Sequence, residues 1–483
     1  MEFELTLPLK KISNFNAKYT FMKTLILLNF TLLSFLSIAQ YQVGHTTITF
    51  NDPARTGGFG SGGGTGRQIQ TEIYYPAATS GDNVTVASGQ FPVITFGHGF
   101  AMSWDAYTNI WQHYVARGFI LAFPRTEGGL IPGPSHGDFG TDLKQVSDKM
   151  LALNSNASSL FNGKILQKAA IIGHSMGGGA SFLAAANNTN IETVVGLAPA
   201  ETNPSAIAAA ANVSVPALVF SGSSDGVTPP ADHHIPIYQG LTSSCKSFVS
   251  ITGGAHCYYA NTNFNCDFGE STSSTNISIS RTEQQTAMYG ILDPWLDFKL
   301  KGICESYAAF LLAIDSQPGT NNESICPTLP IVSIINDPNQ GIGVHCSSIV
   351  GTAYQWYMDN QQLVGETSQC YNIPVDLGAT YQVEVFFENG CVLSQPITFT
   401  SGINENFIKQ VSVFPNPASE IIQVEYKMGK VKVKVMDIKG KVIQQNLESA
   451  SIHSFNISTL KKGVYLLEIS DEVNTCVKRF IKE

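Results

Sequence analysis

Charge is scarce in this chain: 28 Lys and Arg and 37 Asp and Glu make up 13% of 483 residues, for a formal net charge of −9. No basic stripe runs through any segment, so nucleic acid is excluded as an expected partner. No CxxC pair or His-rich spacing marks a zinc site, and His233-His234 reads as part of an exposed turn. Beyond the N-terminal region no stretch approaches the ~20 apolar residues that a bilayer helix needs, so no stable membrane span is expected. Few charges with many Ser, Thr, Asn and Gly fit an exported surface. The charge is also uneven: residues 404–483 hold 12 basic and 9 acidic side chains, which leaves the rest of the chain strongly acidic.

What is present begins with length. A chain of 483 residues exceeds what one core holds efficiently, so two or three domains are expected. Residues 1–39 read as a signal-peptide region with Met22 as an alternative start. From Met22 a short positive opening leads into an apolar stretch, and Ser37 and Ala39 occupy small-residue positions before a cut at Ala39/Gln40. Nine cysteines in an exported chain read as disulfides. Cys257–Cys266 and Cys245–Cys304 are the expected pairs in the first domain, although spacing alone does not fix connectivity.

Residues 40–317 alternate apolar strand-like runs with helical periodicity. Strands are expected at 68–76, 92–96, 119–124, 191–199, 215–222 and 247–256, and helices at 104–117, 138–153 and 281–312. That alternation predicts a mostly parallel sheet with helices on both faces, an α/β fold. Residues 328–401 change to short alternating runs around Trp356, Tyr381 and Cys391, the pattern of a small Ig-like β-sandwich. Residues 404–483 read as a second small all-β sandwich.

Chemistry concentrates at Ala169–Ser181, where an apolar strand breaks into Gly173-His174-Ser175-Met176-Gly177 and then small helix formers. This is a nucleophile elbow, with Ser175 on a sharp strand-to-helix turn. A serine hydroxyl is a weak nucleophile near neutral pH and needs a base and a group to orient that base. Two later strands run into Asp225 and His256, which gives the order Ser, Asp, His. Asp225 is the expected orienter and His256 the expected base; Asp105, Asp138, Asp142 and Asp232 are weaker alternatives for the acid. The oxyanion hole is expected from the backbone N–H groups of Met176 and Phe100, the latter in Gly97-His98-Gly99-Phe100, with His98 holding that loop. Trp104 and Tyr258 are candidate substrate-binding aromatics.

Those motifs resemble bacterial cutinases and polyester hydrolases and, more widely, the dienelactone-hydrolase, chlorophyllase and platelet-activating-factor-acetylhydrolase grouping. The resemblance covers about residues 45–310 and implies an α/β-hydrolase fold acting through an acyl-enzyme, with no metal or organic cofactor required. It departs where many cutinase-like enzymes carry a stacking Trp: this chain has Ala198-Pro199-Ala200-Glu201. No long insertion that would form a lid interrupts the pattern, which favours short-chain or polymeric esters, aromatic polyester among them. A lipase or acetylhydrolase-type esterase, or an inactive hydrolase-fold adhesin, are the alternatives. Phe414-Pro415-Asn416-Pro417, Asp437-Ile438-Lys439-Gly440 and Lys462-Gly463-Val464-Tyr465 resemble the C-terminal sorting domain of type IX secretion in Bacteroidetes. That resemblance implies the type IX machinery as a partner and a secreted or cell-surface location.

Overall fold

A computed structural model describes residues 41–336, 344–373, 379–387, 390–398, 405–471 and 474–483. The expected signal region, residues 1–39, and the composition break at 404 lie outside the described residues. The chain forms two compact units that divide between Leu329 and Pro330.

The first unit is built on an 11-stranded sheet. Its strands are β1 (Gln42–Asp52), β2 (Gly58–Phe59), β3 (Arg67–Ala77), β4 (Gly81–Asp82), β5 (Phe91–Gly97), β6 (Ile120–Pro124), β7 (Ile165–His174), β8 (Thr193–Leu197), β9 (Ala217–Gly222), β10 (Lys246–Ile251) and β11 (Thr320–Ser324). They lie in the order β11-β10-β9-β8-β7-β5-β6-β3-β1-β4, with β2 beside β3. From β6 through β10 every neighbouring pair is parallel. Pairing is antiparallel where β3 meets β6, where β1 meets β3 and where β11 meets β10. The parallel strands are apolar on both faces because successive residues feed opposite cores. Val93, Ile171, Val194 and Val219 point into one cluster, and Ile94, Ile172, Val195 and Phe220 into the other.

Helices cover both clusters. α1 (Thr108–Ala116) packs on one face; α2 (His136–Ala152), α3 (Met176–Ala185), α4 (Ala206–Ala210) and α5 (His234–Gly240) pack on the other. A short α6 (Phe264–Ser273) follows the last parallel strand, and α7 (Arg281–Lys301) and α8 (Cys304–Ser316) return to the α1 face. The continuous helix expected over 281–312 is two helices, because Gly302 takes a left-handed conformation at φ 69° and ends α7. At its other end a Ser280–Glu283 capping box starts α7. Expected pairing of Cys245 with Cys304 is also corrected: Cys245 is bonded to Cys326, which follows β11 and fastens that edge strand to the sheet. Cys257 and Cys266 are bonded as expected. Among the described residues no helix is long and apolar enough to cross a membrane.

In the second unit all the described sheets are antiparallel. Trp356, fully buried on Ala353–Met358, packs with Tyr381, Val383 and Val385 of Thr380–Phe387. The Ig analogy is limited here, since Cys346–Cys370 joins register partners on adjacent strands of one sheet instead of bridging two. Two further sheets from Val411 onward enclose Ile422, Val424, Val433, Val435, Leu467, Ile469 and Phe480. Asn416 of the Phe-Pro-Asn-Pro string accepts a hydrogen bond from the Ile481 N–H at 2.9 Å, which ties the first turn to the last strand.

Trp295 anchors α7 against the sheet. Its ring is fully buried and its indole N–H donates to Thr193 Oγ1 at 2.9 Å. Trp295→Ala is expected to cost about 3–5 kcal/mol of folding stability, read as a lower urea midpoint for the first unit.

Candidate active site

Each of the three expected residues follows the carboxyl end of a different parallel strand: Ser175 after β7, Asp225 after β9 and His256 after β10. Register puts these ends on one edge, with Gly97 beside Gly173, Gly173 beside Gly196 and Gly222 beside Ile251. Ser175 sits at φ 57°, ψ −122°, outside the regions that L-residues prefer. Three anchors hold it there. Its N–H donates to the Leu197 carbonyl at 3.0 Å, and its own carbonyl accepts from Gly179 N–H at 3.0 Å and Ala200 N–H at 2.9 Å.

His256 Nε2 lies 2.8 Å from Ser175 Oγ, and His256 Nδ1 lies 2.8 Å from Asp225 Oδ2. All three residues are buried, with 8% of Ser175 exposed to solvent. Asp225 Oδ1 accepts from the N–H groups of Val227 and Thr228 at 2.9 and 2.8 Å. Burial works to raise the Asp225 pKa, but His256, its hydrogen bond, His234 and the Thr228 N–H together hold the carboxyl below its ordinary value.

The loop carrying His256 is clamped on both sides. Ala255 N–H donates to Gln284 Oε1 and the Gln284 amide donates back to the Ala255 carbonyl, both at 2.8 Å. Cys257 N–H donates to Glu270 Oε2 at 2.6 Å, beside the Cys257–Cys266 disulfide. His256 itself is tethered through its carbonyl, which lies 2.9 Å from His174 Nε2. A carbonyl only accepts, so His174 carries its proton on Nε2. Burial, reinforced by the proximity of the His256 ring, pushes His174 down to about 3 and keeps it neutral. Its bare Nδ1 therefore accepts from Tyr107 O–H at 2.9 Å, and the Tyr107 oxygen accepts from Gly99 N–H at 2.8 Å. One directional chain thus links the Gly97–Phe100 loop to the backbone of His256.

Phe100 is half exposed, and Met176 is the first residue of α3. The N–H groups of a helix start have no intrahelical acceptor, which leaves Met176 N–H free to serve an anion. His98 lies 3.0 Å from both the Gly99 and the Thr126 carbonyl, and the one N–H of its neutral ring donates to one of them, which holds the loop. Trp104 lines a cavity of about 610 Å³ together with Phe59, Met102, Arg125 and Ile131. The Arg125 guanidinium sits 4.2 Å from the Trp104 ring and 4.8 Å from that of Phe59. Tyr258 does not line this cavity; Arg281 covers its ring at 4.6 Å.

The alternative acids lie elsewhere. Asp142 is paired with Arg55 and Arg67, Asp138 with Arg55, and Asp105 contacts Ser103. Asp232 is exposed. One expectation is corrected: His234 is not in an exposed turn but fully buried at the start of α5, where its Nε2 lies 2.9 Å from Thr228 Oγ1. Its neighbour His233 is only partly buried and accepts from Glu201 N–H at 2.8 Å. Thr228, His234, His174, Tyr107, Gln284 and Glu270 all escaped the sequence reading. Except for His174, which lies inside the elbow motif, nothing in their spacing marks them.

Residues 37–276 match the family described as PET hydrolase-like, and residues 412–483 match the secretion system C-terminal sorting domain. The chain is similar to a bis(hydroxyethyl) terephthalate hydrolase of Streptomyces coelicolor, 27% identical over 198 residues, 41% of this chain and 56% of that protein. It is also similar to cutinase est1 of Thermobifida alba, 25% identical over 222 residues, 46% of this chain and 66% of that protein. With cutinase cut1 of Thermobifida fusca it shares 24% identity over 222 residues, 46% of this chain and 61% of that protein. The chain thus spans under two thirds of the length of these relatives. It carries an α/β-hydrolase domain of the cutinase and polyester hydrolase grouping, followed by all-β sheets that end in a type IX sorting domain. That last domain directs the protein to the cell surface or the exterior.

Buried imidazoles give the site a pH signature. Burial pushes both His174 and His234 down to about 3, whereas in an unfolded chain each titrates near about 6.5. Between those values the unfolded state binds protons that the folded state refuses, so stability falls as pH is lowered through that window. Asp225 acts in the same sense at lower pH: its folded pKa is depressed, so its contribution is complete above about 3.9 and is lost below. The urea midpoint of the first unit is expected to drop between about pH 7 and about pH 4.5. A midpoint that holds or rises on acidification contradicts this.

Proposed function

We propose, for a chain whose residues 37–276 match the PET hydrolase-like family, that it is a secreted serine carboxylic-ester hydrolase with Ser175 as nucleophile, His256 as general base and Asp225 as orienter. The observation that carries this reading is the unbroken run from Ser175 Oγ to His256 Nε2 and from His256 Nδ1 to Asp225 Oδ2, each step 2.8 Å. Both lie within the reach that proton transfer requires.

In this reading His256 Nε2 takes the Ser175 proton as Oγ attacks the ester carbonyl carbon. Asp225 fixes the tautomer by accepting from Nδ1–H and stabilises the imidazolium that forms. Charge developing on the carbonyl oxygen is met by the N–H groups of Met176 and Phe100. Collapse of the tetrahedral intermediate expels the alcohol, protonated by His256, and leaves the acyl group on Ser175. Water, deprotonated by the same imidazole, then releases the acid and restores Ser175.

For substrate we infer short-chain or polymeric esters, including aromatic polyester. The support is the PET hydrolase-like match and the terephthalate-ester hydrolase and cutinase names of the relatives. Export to the exterior suits a substrate too large to import.

The test compares the protein with Ser175→Ala on p-nitrophenyl butyrate. The variant is expected to lose about four orders of magnitude or more in kcat, and a fluorophosphonate probe is expected to label only the parent, at Ser175. Full activity in Ser175→Ala overturns the mechanism. Equal monomer release from amorphous aromatic polyester film by the two proteins overturns the polymer assignment alone.

A further inference from the structure

Asp225 Oδ2 is served from two directions, and only one belongs to the serine–histidine pair. Its Oδ2 lies 2.8 Å from His256 Nδ1 and 3.0 Å from the hydroxyl of Thr228. That hydroxyl holds one proton but faces several groups: Asp225 Oδ2, His256 Nδ1 at 2.8 Å, His234 Nε2 at 2.9 Å and the Ala198 carbonyl at 3.5 Å. Where its proton points decides whether it helps the carboxylate or competes with it for the His256 proton.

His234 settles the choice. Its ring is fully buried between two hydroxyls, with Nδ1 2.8 Å from Ser221 Oγ and Nε2 against Thr228. Ser221 is itself fully buried, and a buried hydroxyl needs an acceptor for its proton. A bare His234 Nδ1 supplies that acceptor and places the ring proton on Nε2. The Nε2–H then donates to Thr228 Oγ1, occupies the side of that oxygen that would attract the His256 proton, and turns the Thr228 O–H toward Asp225. Burial keeps the ring neutral, as this arrangement requires.

We propose that His234 is a positioning residue: with Ser221 behind it, it commits the Thr228 hydroxyl proton to Asp225 and thereby reserves the His256 Nδ1 proton for the same carboxylate. The two ends come from separate strands, Ser221 from β9 itself and His256 from beyond β10, so the relay also fixes the carboxylate between two loops. This inference rests on the reading of Ser175, His256 and Asp225 as the catalytic unit.

The test uses the full chain and p-nitrophenyl butyrate, with His234→Phe, Thr228→Val, their double variant and His234→Gln. One lost hydrogen bond to a charged group corresponds to about a tenfold fall in kcat for each of the first two, with KM changed less than about twofold. The double variant is expected to be no slower than Thr228→Val alone, because both act through one hydroxyl proton. His234→Gln keeps an N–H donor toward Thr228 and an acceptor toward Ser221, and is expected to recover most of kcat. The inference is overturned by parental kcat in His234→Phe, by losses that multiply in the double variant, or by His234→Gln as slow as His234→Phe. Should His234→Phe fail to fold, the isosteric Thr228→Val and His234→Gln decide alone: parental kcat in the first, or no activity in a folded second, overturns it. Ser175→Ala run alongside separates the premises, since full activity there defeats the hydrolase reading instead.

Discussion

Where α3 begins, the backbone of Gly177 lies against β5 on one side and β7 on the other, at distances no side chain would tolerate. A Cβ on Gly173 would stand 2.1 Å from the Gly177 carbonyl oxygen, and one on Gly177 would stand 2.2 Å from that of Gly97. Three backbones therefore meet in a space that excludes even a methyl group. This contact lets β7 end abruptly, forces Ser175 into its positive-φ turn and sets the helix start behind it. It also brings the start of the Gly97–Phe100 loop beside the elbow, since a Cβ on Gly177 would stand 2.5 Å from the His98 carbonyl oxygen. Everything proposed for the chemistry depends on that approach.

The sequence carried this part of the structure openly, because glycines at Gly97, Gly173 and Gly177 are what so close an approach of backbones demands. Ser175, Asp225 and His256 were legible for a related reason: each follows an apolar strand, and parallel strands share an edge. What could not be read was the support around them. Gln284 reaches Ala255 from α7, Glu270 reaches Cys257 from α6, and Tyr107 reaches His174 from ahead of α1. These contacts join residues from 13 to 67 positions apart, and no periodicity encodes such a partner. His234 misled for a different reason. Two adjacent polar residues after prolines resemble a surface turn, yet hydroxyls on both sides let one ring enter the core at no cost in unsatisfied groups.

The cysteines show the same division. The short Cys257–Cys266 closure was visible because its ends lie nine positions apart. Cys245–Cys326 spans 81 positions and depends on β11 lying against β10, an edge strand too polar to be noticed. In the second unit, Trp356 and Tyr381 suggested an Ig-type core and do pack together, whereas the disulfide runs along one sheet. Burial pattern was thus easier to read than covalent connectivity.

The ring closed by Cys257 and Cys266 has a further consequence. It begins at the residue after His256 and leads into α6, whose Phe264 and Phe268 are 82% and 63% exposed. Asn265 on that helix donates to the Ala101 carbonyl at 2.8 Å, next to Phe100. Both ends of the segment are pinned, by the disulfide and Glu270 at one side and by the α7 capping box at the other. The exposed phenylalanines thus ride on a helix whose inner side, through Glu270 and Cys266, is fastened to the residue that follows His256.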